Sequence, residues 1–182
     1  MNTRIPLVAL GAATIILISS QLSAQVCKPN SIPAAAPNER YLDNGDGTVL
    51  DVSTGLVWKK CSLGQNYSDG QCAGTPISHT WKDALAAAAS EPKDTATGKS
   101  WRVPTTKELE TLVERQCHDP AINESMFPGT PSGIYLSSTP GFTPGTPRVM
   151  DFRTGIEVTP PVSTQRFVRL VRDAGELQDD LY

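Results

Sequence analysis

The hydrophobic and polar positions divide the chain into segments of different kinds. An apolar stretch from Ile5 to Ile18, broken only by Pro6, Gly11 and Thr14, comes first, and then little apolar periodicity until Tyr41. Two short apolar runs follow, Thr48-Val49-Leu50 and Leu56-Val57-Trp58, each preceded by a turn-forming cluster, Asp43–Gly47 and Ser53–Gly55. Short runs between such clusters predict a β-meander with two tight turns. Thr80 with Asp83 three residues on is capping-box-like and opens a first helix through Ala84, Leu85 and the alanines 86–89, with Trp81 and Leu85 as an i, i+4 apolar pair. A second box, Thr105 with Glu108, opens a helix whose Leu109, Leu112, Val113 and Cys117 fall on one face and turn Cys117 toward the core. Beyond Cys117 the frequent prolines permit only short strands, at Ile134–Ser137, Arg148–Phe152 and Arg166–Arg172. The segments Asp151–Gly155 and Thr164–Arg172 look like the closing part of an antiparallel sheet.

The first apolar stretch is too short for a comfortable bilayer span, follows Arg4 and gives way to Leu22-Ser23-Ala24. It predicts a signal peptide over residues 1–24 with cleavage before Gln25. Cys27 does not directly follow the small residues, so a lipid anchor is not expected. The remaining organisation is a Pro-rich arm (25–39) with Pro29, Pro33 and Pro37, one domain (40–172) and an acidic tail (173–182). The mature chain is expected to be soluble outside the cytoplasm, periplasmic or secreted.

Composition sharpens this picture. Of 158 residues after the leader, 31 are Leu, Ile, Val or Phe and 27 are Gly or Pro, which describes one lean core with much irregular backbone and argues against a helical bundle. With Arg4 removed, 15 basic residues face 19 acidic ones, so nucleic acid is not an expected partner. The four cysteines, Cys27, Cys61, Cys72 and Cys117, imply two disulfides in an exported chain. Three pairings are possible; Cys61 with Cys72 across a polar ten-residue loop is favoured, leaving Cys27 with Cys117. Their spacings contain no close Cys pair of the zinc-binding kind. Asp43, Asn44, Asp46 and Asp51 are oxygen donors, but Gly45 and Gly47 stand where an EF-hand needs ligands, so turn chemistry is the reading and no metal or other cofactor is expected. The two histidines, His79 and His118, flank helix ends without a recognisable nucleophile, and an enzyme is not expected.

Read in order, several motifs carry a resemblance: Asp-Asn-Gly-Asp-Gly-Thr-Val at 43–49, Thr-Gly-Leu-Val-Trp at 54–58, Cys-Ser-Leu-Gly-Gln at 61–65 and Thr-Trp at 80–81. Trp-Arg-Val-Pro-Thr at 101–105 with Glu108-Leu109, Pro120-Ala-Ile-Asn123, Phe127-Pro128, Ser137-Ser138, Asp151-Phe152 with Gly155, and Val168-Arg-Leu-Val-Arg172 complete the series. Over about residues 40–172 the chain resembles the Legionella collagen-like adhesin C-terminal domain family. The resemblance implies a C-type-lectin-like α+β fold, with two helices packed on small irregular antiparallel sheets and long loops. It also implies an exported, non-enzymatic binding domain for anionic polysaccharide or a surface protein. The alternative is a structural or assembly component of an envelope complex without glycan binding.

Three departures from the family are visible. Leu136-Ser137-Ser138 replaces the family's Trp-Ser-Ser, so an aromatic platform is shifted to Tyr135 or lost; the 138–148 stretch is short and Pro-rich; and no Gly-X-Y repeat is present. Glu91-Pro92-Lys93 puts a cation where the calcium-dependent lectin loop needs an amide, which argues against that sugar site. Ligand contact is expected instead from Arg148, Arg153, Arg166, Arg169 and Arg172, five cations against Asp151 and Glu157, because guanidinium groups bind sulfate and carboxylate through paired donors. In a strand, Arg169 faces away from Arg166 and Arg172, which divides the set. The competing reading is that these arginines pair with carboxylates or lie flat on the sheet. Arg102 with Glu108 is read as a structural ion pair.

Overall fold

The computed structural model describes residues 24–95, 97–159 and 166–175. The expected leader, except Ala24, residues Thr164 and Gln165, and most of the acidic tail lie outside them. After β1 (Val26–Cys27), the strands β2 (Tyr41–Asp43), β3 (Thr48–Asp51) and β4 (Leu56–Lys59) form the expected meander. Its first turn is built by side chains: Asp43 accepts the Gly45 N–H and Asp46 accepts the Thr48 N–H, while Gly45 and Gly47 take φ of 77° and 86°. β5 (Asn66–Ser68) and β6 (Gln71–Ala73) make a hairpin in which Tyr67 pairs with Cys72, and the Cys61–Cys72 disulfide clips it to the body.

Helix α1 (Trp81–Ser90) starts where the capping signal puts it, with the Thr80 hydroxyl accepting the Asp83 N–H. Its packing face differs from expectation. Ala84 and Ala88 are buried whereas Leu85 is 42 % exposed, because the small residues let the helix approach the sheet and Leu85 lies off that stripe. Helix α2 (Thr106–Thr111) shows the full reciprocal box between Thr105 and Glu108, and Leu109, Leu112 and Val113 are buried as the spacing implies. It stops before reaching Cys117, which sits in β7 (Cys117–His118) opposite Cys27 of β1 and is bridged to it. The chain leaves the helix to seat Glu114, whose carboxylate accepts the N–H groups of Ala35, Ala36 and Gln116 and fastens the N-terminal arm.

β8 (Ile134–Pro140), β9 (Pro147–Asp151) and β10 (Ile156–Val158) form a second antiparallel sheet, while β11 (Val171–Asp173) closes the first beside β4. The strand expected over Arg166–Arg172 is regular only at its end. Residues 166–170 run extended between the two sheets instead: Phe167 exchanges backbone hydrogen bonds with Ile134 and Leu136 of β8, and Val168 and Leu170 accept from Leu63 and Lys59 on the other side. The two hairpin turns share one design. Asp51-Val-Ser-Thr-Gly55 and Asp151-Phe-Arg-Thr-Gly155 each fold back on the aspartate carbonyl, with the Gly N–H donating at 2.9 and 2.8 Å and the Asp side chain accepting the N–H two residues on.

Alternation along β4, β8 and β9 divides the apolar residues between two cores. Trp58, Tyr135 and Met150 pack with Leu109, Leu112, Phe127 and Phe152; Val57, Leu136 and Val149 pack with Ala84, Ala88, Trp101 and Leu170. Strands buried on both faces let a lean composition serve two helices at once.

Carboxylates tie the periphery to these cores. Burial works against the ionised form of Asp51 and Glu108, but the Arg40 fork on Asp51 and the two-point Arg102–Glu108 pair, with Nη1–Oε2 and Nη2–Oε1 both 2.8 Å, outweigh it and hold both pKa values below the ordinary range. The Arg102–Glu108 reading therefore describes a formed structural pair. A group whose pKa is lower folded than unfolded contributes its stability above the unfolded value, near about 4, and loses it as pH falls through the folded value. Thermal unfolding followed from neutral pH downward is thus expected to show a midpoint that drops below about pH 4. Asp51→Asn is expected to lower the midpoint at neutral pH and to flatten the acid limb; an unchanged acid limb in that variant would remove Asp51 from the account.

Candidate functional site

The six expected ligand residues are placed in four different environments. Arg169 is fully buried: Nη1 donates to the carbonyls of Lys59, at 2.8 Å, and Lys60, Nη2 donates to Thr130 Oγ1 at 2.7 Å, and the guanidinium lies 4.9 Å from the Phe127 ring centroid. Burial pushes its pKa down. Arg172 is buried on the other side of the sheet, over Trp101, with Nη2 2.9 Å from Asp94 Oδ2. A spacing of three in extended backbone has sent these two guanidinium groups into opposite cores, as strand geometry requires. Tyr135 is also interior, its hydroxyl 2.7 Å from Ser62 Oγ and its ring edge-on to Phe152, so it offers no exposed aromatic platform. Arg148 is at the surface and pairs with Glu157.

The remaining two, Arg153 and Arg166, come together. A depression of about 230 Å³ is lined by both, with Ser78, Ser132, Gly133 and Phe167 among the other residues, and no acidic side chain is among those that line it. Arg153 stands on the Asp151–Gly155 turn. It gives Nε and Nη2 to the Asp151 carboxylate, whose pKa is held below the ordinary range by that guanidinium against the opposing effect of burial. Its Nη1 makes no hydrogen bond among the described residues, and the side chain is 55 % exposed. Arg166 is placed by backbone pairing with His79, and burial pushes its guanidinium below the ordinary value. Four separated segments meet here, and the serines carried no signal in the sequence because only the fold brings residues 78 and 132 beside the arginines.

Next to the depression, His118 Nδ1 is 2.9 Å from Asp119 Oδ2, and Ser132 Oγ donates to Asp119 Oδ1 at 3.0 Å. The carboxylate stands between the hydroxyl and the imidazole. A nucleophile needs its base at hydrogen-bond reach with the carboxylate behind the base, so this chain of groups has the wrong order for acyl transfer. Among the described residues no cluster of three His, Cys, Asp or Glu side chains is placed to hold a metal ion, and no helix is long and apolar enough to cross a membrane.

Two capped helices, short antiparallel sheets and two disulfides define a small α+β domain of the loop-rich, cross-linked class. The model of the Lcl C-terminal domain family matches residues 47–172, and the chain belongs to that adhesin-associated family. No curated protein and no solved structure matches the chain. Family membership and the disulfides together point to an exported protein.

Proposed function

We propose that the protein is a non-enzymatic binding domain with a C-type-lectin-like fold that recognises an anionic polysaccharide through the Arg153–Arg166 depression. The observation that carries this reading is the convergence of two guanidinium groups, from the 151–155 turn and the 166–170 segment, on one open depression without an acidic lining residue. A sulfate or carboxylate there meets the Arg153 Nη1, which its fork on Asp151 does not use, in the positive field of two neighbouring guanidinium groups. The periplasm or the cell exterior is the compartment in which such a domain works.

Chromatography of the oxidised protein on immobilised heparin tests the reading. Retention at low salt is expected, with earlier elution of Arg153→Ala and of Ser78→Asp, which sets a carboxylate into the depression; both variants should keep the native circular dichroism spectrum. No retention of the unaltered protein sinks the polysaccharide reading, and retention indifferent to both substitutions moves the contact elsewhere. The pairing of Arg148 with Glu157 and of Arg172 with Asp94 favours the second reading, a rigid envelope-assembly component. Recovery of one envelope partner without heparin retention is the result that supports it.

A further inference from the structure

A second concavity lies away from these arginines, and its chemistry is of another kind. A cleft of about 470 Å³ opens between the first turn of the meander and the β5–β6 hairpin. Asp46, Lys59, Gln65, Asn66, Tyr67 and Glu91 supply its polar lining. Two motifs singled out in the sequence, Asp43–Val49 and Cys61–Gln65, form facing walls, and neither is used by the Arg153–Arg166 depression.

Those walls are built to hold their shape. The Cys61–Cys72 disulfide fixes the hairpin, the Ser62 N–H donates to Gln65 Oε1 at 3.1 Å, and Leu63 is hydrogen-bonded to Val168 and Ile77. A Cβ on Gly64 would stand 2.5 Å from Ile77 Cγ1, and one on Gly47 2.9 Å from Tyr67 Cβ, so glycine at both positions allows close approach of backbone to side chain.

The cation inside is paired, and the second carboxylate is hydrogen-bonded. Lys59, the one cation among the lining residues, pairs with Glu91, and Asp46 is occupied by the N–H and hydroxyl of Thr48. An anionic polymer finds no open cation there. What remains is neutral hydrogen-bonding capacity beside a ring. The Asn66 carboxamide makes no hydrogen bond among the described residues, and the Tyr67 hydroxyl accepts from Lys60 Nζ at 3.2 Å while retaining its own proton to donate. Carboxamide and phenol hydrogen bonds match the hydroxyls of a sugar, and an aromatic edge or face matches its C–H surface. The volume is in the range of pockets that take a small organic ligand, enough for one or two pyranose rings.

We propose that this cleft is a binding site for an uncharged saccharide, independent of the arginine depression. Electrostatics separates the two sites, because contact through neutral donors is nearly insensitive to salt whereas an exposed guanidinium contact is screened. The experiment is a heteronuclear NMR titration of the oxidised protein with uncharged oligosaccharides of glucose, galactose and mannose, repeated at low and high salt. At least one is expected to shift the amide signals of residues 46–48 and 64–67 with an affinity that changes less than about twofold with salt. Asn66→Ala, which removes the carboxamide, and Tyr67→Phe, which removes the hydroxyl while Lys60 keeps its pair with Asp43, are expected to weaken it about tenfold, the size of one lost hydrogen bond, and Arg153→Ala to leave it unchanged. The proposal is overturned if no sugar in the set moves those signals, if binding falls steeply with salt, or if both cleft variants bind as the unaltered protein does. Shifts of the same signals by a free amino acid but by no sugar also overturn it, since they would mean that the Lys59–Glu91 pair opens for a zwitterion.

Discussion

Arg169→Ala is expected to destabilise the protein by about 3–5 kcal/mol in chemical denaturation of the oxidised form. Two physical effects add. The carbonyls of Lys59 and Lys60 and the hydroxyl of Thr130 all lose a donor inside the protein, and the space under Phe127 is left as a cavity. Each orphaned buried acceptor costs about 1–3 kcal/mol, which against a usual total of about 5–15 kcal/mol makes this one residue decisive. Arg169→Lys keeps the charge but cannot span three acceptors with a planar fork, and a loss of about 2–3 kcal/mol is expected for it. Arg169→Met distinguishes bonding from mere filling. Stability equal to that of the native protein in this variant would show that the buried charge contributes no net stability and that its hydrogen bonds do not hold the sheets together.

The second large effect concerns the bridges, and here the two should differ. Cys27 and Cys117 are 90 residues apart, and Cys61 and Cys72 are 11 apart. In the chain-entropy account, opening the long loop by Cys27→Ser with Cys117→Ser costs about 4–5 kcal/mol, and opening the short one by the corresponding pair of serines about 3 kcal/mol. Denaturation midpoints of the two double variants check the order. A reversed order would mean that the Glu114 contacts to Ala35 and Ala36 hold the arm without the covalent link, since those bonds remain in the first variant.

Features that depend on near neighbours were legible in the sequence. Thr80 and Thr105 cap the helices they announce, and the Asp43–Gly47 cluster forms its turn with its own side chains, because capping and turn chemistry act over two or three residues. The favoured cysteine pairing is the one present. What the sequence hid is decided at long range. Leu85 has the larger apolar side chain, yet the helix turns Ala84 and Ala88 inward because the sheet lies too close for anything bigger. Cys117 continues the helical spacing on paper, but the demand of Glu114 for the arm's N–H groups ends the helix first. Five arginines within 25 residues resemble a patch, and only the passage of residues 166–170 between two sheets shows which of them face inward. The repeated Asp-x-x-Thr-Gly turn was open to plain comparison of residues 51–55 with 151–155, and that comparison would have placed Arg153 on an exposed turn.

The extended segment 166–170 and β11 bring partners to both sheets at once: Phe167 to β8, Leu170 to Lys59, and Val171 to Trp58 and Arg102. Everything it joins lies earlier in the chain. Neither core is complete until these late residues are in place, and the domain closes around Arg169 as a clasp.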